Sequence, residues 1–289
     1  MSRLTSEELR ELRRLDVQLG RRADSLFAGD YRSAVRGRGM EFEEVRAYVP
    51  GDDIRHIDWN VTARSGEAFI KVFREERQNT LVLAVDISGS TDVGGGGRDG
   101  RTDRRLQIAR IAGGLAYAGI RNRDRVGLVT FSDRVETYLS PRPDRAHAWA
   151  VIQSVFSAER VGAGTDLASA IGFLARTQRR RAVIVLMSDF LDAGPWQRPL
   201  ATLARRHEVH AILVSDALDA AGLGGGLMEL VDAETGATLL VDGWHGVDAS
   251  VDERLRTLTR CGARVVEIPT EADPYVRMHR HFQAMGVRR

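Results

Sequence analysis

The feature that most constrains the fold is an uninterrupted apolar run that ends in a carboxylate and two serines. Residues 81–85 read Leu-Val-Leu-Ala-Val, Asp86 follows directly, and Ser88 and Ser90 come at two-residue spacing. A short apolar run without alternation is typical of a strand that is buried on both faces of a parallel sheet. Because ligands of open α/β sheets bind outside the carboxyl ends of the strands, the sequence predicts a binding site at Asp86.

The side chains of this motif present one carboxylate and two hydroxyl groups. Oxygen ligands suit a hard divalent cation, and Mg²⁺ in particular accepts few carboxylates, keeps waters and leaves positions open for another ligand. We therefore expect a cation site, with Mg²⁺ as the first choice and Mn²⁺ or Ca²⁺ as alternatives. The open position is expected to be filled by a partner.

Two residues from elsewhere in the chain match this site. Thr165 lies in Gly-Ala-Gly-Thr-Asp at the start of a predicted helix, and Asp189 follows the apolar run 182–187. Either residue alone would be interpreted as a helix cap. Because the carboxyl ends of neighbouring parallel strands meet at one edge of a sheet, we expect both to lie near Asp86. The predicted metal ligands are Asp86, Ser88, Ser90, Thr165 and Asp189.

Strands and helices alternate from residue 81 onwards. This alternation predicts an α/β fold with a mostly parallel central sheet and helices on both faces. Two different segments come before it: leucines at three- and four-residue steps over residues 5–22 predict an amphipathic helix, and residues 30–80 contain short extended pieces and Pro-Gly-Asp turn chemistry. We divide the chain into an N-terminal helix (1–29), a small β-rich segment (30–79) and a main α/β domain (80–289).

Composition excludes several classes of protein. The chain of 289 residues is 43% apolar and 28% charged, and its formal net charge of +2 gives no reason to expect nucleic acid as a partner. Cys261 is the only cysteine, so an intramolecular disulfide is impossible. His279 and His281 fall on opposite sides of a predicted helix, which predicts surface positions rather than a metal pair.

The charged N-terminus lacks the apolar stretch of a signal peptide, and no apolar run is long enough to span a membrane, so we expect a cytoplasmic protein.

A dense polar cluster occupies the β-rich segment. Its members are Arg55, His56, Asp58 and Arg64, with Trp59 among them. One interpretation is a second surface for a partner protein. The other, which is favoured, is a structural network that ties the segment to the main domain, with Trp59 as its packing anchor.

The order Asp-x-Ser-x-Ser, then Thr165, then Asp189 resembles the metal-ion-dependent adhesion site of von Willebrand factor A-type domains. The block GRGMEFEEVRAYVPGDDIRHIDWNVTARSGEAFIKVFREER resembles the signature of a bacterial family catalogued as domain of unknown function fifty-eight. The resemblance implies a Rossmann-like A domain that holds a divalent cation and binds a protein rather than catalysing a reaction. It also implies a MoxR-type AAA+ ATPase as partner. Thr91 departs from the family pattern, in which Met is common at this position.

These observations favour an adaptor or co-chaperone, not an enzyme, that captures a carboxylate of a partner or client protein through the cation. The alternative is a Mg²⁺-dependent phosphohydrolase, because an Asp at a strand end also begins Asp-x-Asp phosphatase sites. Ser88 stands where that chemistry needs its second carboxylate. No phosphate-binding Gly-x-x-x-x-Gly-Lys-Ser/Thr motif is present, and near-neutral charge disfavours nucleic-acid binding through the Arg-rich N-terminus.

Overall fold

The structure is a computed structural model, and it describes residues 40–75, 79–92, 104–158, 162, 164–216, 227–231, 238–242 and 250–286. The strands in these ranges are β1 (Met40–Ala47), β2 (Phe69–Glu75), β3 (Thr80–Asp86), β4 (Arg125–Phe131), β5 (Val135–Arg142), β6 (Val183–Ser188), β7 (Glu208–Ser215), β8 (Leu227–Val231), β9 (Thr238–Asp242) and β10 (Arg264–Pro269). The helices are α1 (Trp59–Ser65), α2 (Arg104–Arg121), α3 (Arg145–Phe156), α4 (Leu167–Thr177), α5 (Gln197–Arg206), α6 (Val251–Arg260) and α7 (Pro274–Gly286).

A six-stranded sheet forms the centre of the main domain, in the order β10-β7-β6-β3-β4-β5. All neighbouring strands are parallel except β5, which pairs antiparallel with β4 at the edge. The predicted α/β fold with a mostly parallel sheet is therefore confirmed. Because β3 lies between β4 and β6, the carboxyl ends of these three strands meet at one edge of the sheet.

Side chains of β3 alternate between two apolar layers. Leu81, Leu83 and Val85 pack with residues of α2, α3 and α7 on one face. Val82 and Ala84 pack with residues of α4, α5 and α6 on the other. All five are almost completely buried, which explains why the run shows no polar alternation. Helices cover both faces, as predicted, and the rigid core holds the end of β3 in place.

The N-terminal segment is a two-stranded antiparallel ribbon of β1 and β2, joined through a short 3₁₀ turn at Ile54–His56 and helix α1. The polar stretch between β1 and β2 is therefore helical rather than extended. Turn chemistry explains part of this, since Asp53 and Asp58 each accept backbone N–H groups at the start of a helical turn.

The polar cluster of this segment divides between structural and exposed residues. Asp58 is buried, caps α1 and lies 3.4 Å from the ammonium of Lys71, so it stabilises the segment itself. Trp59 is 70% exposed, so the prediction that it is a packing anchor is wrong. Arg55 and Arg64 are exposed and His56 is half-buried. A partner surface made of these three residues remains a prediction, and Asp58 does not belong to its exposed part.

The predicted helix over residues 5–22 and the glycines 94–97 lie outside the described residues.

Candidate metal centre

Asp86 is the last residue of β3, and its carboxylate is completely buried. Its Oδ1 accepts the backbone N–H of Ser88 at 2.9 Å, and its Oδ2 accepts the hydroxyl of Ser188 at 2.6 Å. Ser188 ends the neighbouring strand β6. The two hydrogen bonds fix the orientation of the carboxylate between two strand ends, which is the position that the sequence predicts for it.

Ser88 and Ser90 present their hydroxyl groups to the same point. The two Oγ atoms lie 3.1 Å apart, and the backbone between them forms the start of a 3₁₀ turn at Gly89–Asp92. Thr91 holds this turn, because its hydroxyl donates to the carbonyl of Ser88 at 2.7 Å. Thr91 thus has a structural task at the position where many relatives are expected to carry Met.

Asp189 follows β6 and is 1% exposed. Its Oδ1 accepts the backbone N–H of Leu191 at 3.1 Å. Its Oδ2 is buried, accepts no hydrogen bond within the described part of the chain, and lies 3.5 Å from Nη1 of Arg104. The next residue, Phe190, has a φ of 56°, in the left-handed region that non-glycine residues rarely adopt. Such a turn is typical of backbone held in place by its surroundings at a functional site.

Thr165 is half-buried and directly precedes Asp166, the N-cap of α4. The Asp166 carboxylate accepts the N–H of Ser169 at 2.8 Å, and its backbone N–H donates to the carbonyl of Ser132 at 2.9 Å. Ser132 comes directly after β4. These bonds place Thr165 at the carboxyl edge of the sheet, beside the strand that flanks β3.

The electrostatics of the centre favour a cation. Burial first, and the nearby carboxylate of Asp189 second, raise the pKa of Asp86 to about 7, against the hydrogen bonds from Ser188 and Ser88 that lower it. Two buried carboxylates at one edge are poorly solvated, and the single guanidinium of Arg104 offsets only one of their two negative charges. A divalent cation would supply further positive charge and bind the buried Oδ2 of Asp189.

The available ligands suit a hard cation. In the described ranges, no three side chains of His, Cys, Asp or Glu gather as a metal site of those residues would require. The predicted ligands instead combine two carboxylates, Asp86 and Asp189, with the hydroxyls of Ser88, Ser90 and Thr165. Oxygen ligands of this mixture fit Mg²⁺ better than a metal that prefers nitrogen or sulphur.

Three residues of the centre carry no recognisable signal in the sequence. Ser188 orients Asp86, as described above. Arg104 begins α2 and donates from Nη1 to the carbonyl of Ser90 at 3.0 Å. Arg254 on α6 donates from Nη1 to the backbone carbonyl of Asp189. The two arginines come from helices outside the motif, and only the packing of those helices brings their guanidinium groups to it.

Comparison with known proteins agrees with this architecture. The model of the family described as "Protein of unknown function DUF58" matches residues 44–257. Uncharacterized proteins of Mycobacterium tuberculosis and Mycobacterium bovis are each 32% identical over 272 residues, which is 91% of this chain and 84% of theirs.

A solved structure shares the fold at low sequence identity, and a second is more distantly similar. An aerotolerance-related membrane protein from Bacteroides fragilis has a TM-score of 0.50 at 16% identity, over 73% of this chain and 100% of that one. The VWA domain of SpRpn10 has a TM-score of 0.42 at 11% identity, over 73% of this chain and 95% of that one. The predicted von Willebrand A-type fold, with a mostly parallel sheet between two layers of helices, is confirmed.

The expectation of a cytoplasmic protein is wrong. The Bacteroides fragilis structure with the same fold is described as a membrane protein, so the fold and the lack of a long apolar run do not assign a compartment. In the part of the chain that the structure describes, no helix has the length and apolar character needed to cross a bilayer.

Proposed function

The chain belongs to the DUF58 family, and from the chemistry of its centre we propose that it is an adaptor that captures an acidic side chain of a partner protein through a divalent cation. The observation that carries this proposal is the buried pair Asp86 and Asp189, at the same edge of the sheet as the hydroxyls of Ser88 and Ser90. Two carboxylates do not exceed the charge of a divalent cation. The metal therefore keeps an open position that favours an anionic ligand.

Binding fits this centre better than catalysis. Hydrolysis of a phosphate ester at such a site needs a second carboxylate two residues after the first, to act as general acid and base. Ser88 occupies that position, and its hydroxyl is buried and in hydrogen-bonding distance of Ser90. A hydroxyl with this environment can bind a metal but cannot move protons near neutral pH.

The partner we propose is a MoxR-type AAA+ ATPase, with a client protein as the second target. Family resemblance supports this choice. An adaptor of this kind would present the client to the ATPase, and Mg²⁺ is the proposed cation, with Mn²⁺ and Ca²⁺ as the alternatives.

Replacing Asp86 tests the proposal. We expect Asp86→Asn to lose Mg²⁺ binding, because the amide cannot donate a negative charge to the metal, and to lose partner capture with it. Calorimetric titration with Mg²⁺ measures the first effect. A pull-down with and without chelator, read by mass spectrometry, measures the second.

Asp124→Asn is the matched control, because Asp124 is also a buried carboxylate but lies just before β4, at the opposite edge of the sheet. It should bind Mg²⁺ like the wild type. If Asp86→Asn captures the same partner with chelator present, the metal-dependent mechanism is excluded. Turnover of p-nitrophenyl phosphate by the wild type that Asp86→Asn loses would establish the hydrolase instead.

A further inference from the structure

A buried arginine lies inside the metal centre. Arg104 is the first residue of α2, and its side chain is 2% exposed. Its Nη1 donates to the carbonyl of Ser90 at 3.0 Å and lies 3.5 Å from Oδ2 of Asp189. The guanidinium therefore joins the Asp86–Ser90 loop to the loop after β6, at the carboxylate that a metal would use.

A second arginine contacts the same aspartate at a different atom. Arg254 is 9% exposed and donates to the backbone carbonyl of Asp189. This contact fixes the main chain of the loop and leaves the carboxylate to Arg104. The two arginines thus have separate tasks, since Arg254 positions Asp189 and Arg104 neutralises it.

We propose that Arg104 is a resident positive charge that competes with the divalent cation for Asp189 and makes the loaded centre selective for acidic side chains. The inference rests on the proposed function and specifies the chemistry of the partner. With both carboxylates ionised, Asp86, Asp189 and Arg104 together carry one net negative charge. A bound divalent cation turns that into one net positive charge, whereas without Arg104 the loaded centre would be neutral.

The charge of the loaded centre decides what it binds. A buried site with net positive charge attracts a carboxylate and gains little from a neutral carbonyl or hydroxyl, because Coulomb interactions are strong where water is excluded. The same positive charge repels the metal ion. The cost of this selectivity is therefore weaker affinity for the cation.

Substitution of Arg104 separates these effects. We expect Arg104→Gln to bind Mg²⁺ roughly tenfold more tightly, because the repulsion is gone and the carboxylate of Asp189 is released. Arg104→Lys keeps the charge and should stay near the wild-type affinity. Arg256→Gln is the matched control, since Arg256 is exposed on α6 and its loss changes the net charge of the chain by the same amount. Calorimetric titration with Mg²⁺ alone measures all four proteins.

Circular dichroism identifies the variants that fold, and Arg104→Met, with an apolar chain of similar length, provides the same test if the glutamine is not tolerated. A folded Arg104→Gln or Arg104→Met variant with wild-type or weaker Mg²⁺ affinity overturns the inference. That result leaves the proposed function standing as long as Asp86→Asn loses Mg²⁺ binding. If the wild type itself does not bind Mg²⁺, both the inference and the proposed function fail.

Discussion

The bond between Asp86 and Ser188 shows how single residues prepare the centre. Ser188 Oγ donates to Asp86 Oδ2 at 2.6 Å and accepts the backbone N–H of Phe190 at 2.9 Å. One hydroxyl therefore orients the carboxylate of Asp86 and also supports the left-handed residue beside Asp189. Both aspartates of the centre depend on it.

Removing this hydroxyl should cost stability. We expect Ser188→Ala to lower the free energy of unfolding by about 1–3 kcal/mol, because it leaves a buried carboxylate oxygen and a buried N–H without their partner. Urea denaturation followed by circular dichroism measures the change. Ser65→Ala is the control, because the Ser65 hydroxyl also lies within hydrogen-bonding distance of two backbone groups, the carbonyls of Val61 and Glu67, but is exposed. Equal decreases in the free energy of unfolding would show that the buried bonds of Ser188 stabilise the protein no more than those of an exposed serine.

For single residues, the sequence predicts the positions of those side chains that lie at the end of a strand. Asp86 and Asp189 lie at the predicted edge because each directly follows or ends a buried apolar run, and parallel strands align those ends. Arg104 and Arg254 escape prediction because a long side chain can extend from its helix in many directions. Only the packed helices decide that both guanidinium groups reach Asp189.

Among the elements, α4 has the clearest functional task. Its N-cap, Asp166, bonds to Ser169 and, through its backbone N–H, to Ser132 after β4. Thr165 comes directly before this cap. The position of the threonine hydroxyl therefore depends on how firmly the helix start is attached to the sheet.

A comparison of two helix caps tests this dependence. Asp166→Ala and Asp144→Ala each remove a side chain that caps the first turn of a helix, α4 and α3 respectively. We expect each to lower the free energy of unfolding by about 1 kcal/mol. Only Asp166→Ala should also weaken Mg²⁺ binding in a calorimetric titration, because of these two helices only α4 directly follows a proposed metal ligand, Thr165. A similar loss of Mg²⁺ affinity in both variants would contradict the proposal that Thr165 is a metal ligand.

The helices and strands of the main domain are predictable because their apolar patterns match the two faces that they bury. The terminal helix α7 shows where such patterns fail. His281 was expected at the surface, but its Nε2 lies 3.1 Å from Nδ1 of His210 on β7, so that prediction is wrong. A helical pattern alone does not reveal that the sheet offers a polar partner at that point.

The histidine pair couples the stability of the whole molecule to pH. Burial first, and then the charges of His210 and Arg264, lower the pKa of His281 to about 3. Burial also lowers the pKa of His210, although its neighbour Glu208 opposes this shift. The ring of His281 is therefore neutral in the folded protein at pH 5, whereas an unfolded chain protonates histidine below about pH 6.5.

This difference has a definite sign. The unfolded chain binds more protons below pH 6.5, so the free energy of unfolding should fall as the pH drops, by about 1–2 kcal/mol for His281 between pH 7.5 and pH 5. His281→Phe should make this decline shallower, as urea denaturation at the two pH values can measure. His279→Phe is the control, because it leaves the bond between His210 and His281 in place. A decline of the same size in wild type and His281→Phe would contradict the coupling.

The hydrogen bonds of Asp86 and Asp189 also determine when the centre can form while the chain is being synthesised. Asp86 and Ser188 are 102 positions apart in the chain, and Asp189 and Arg254 are 65 apart. A nascent chain therefore exposes its Asp-x-Ser-x-Ser segment long before the groups that orient it have left the ribosome. Since domains fold as units after their residues emerge, the proposed capture of a partner would have to wait for α6, and a chain truncated before α6 would carry the motif without the complete centre.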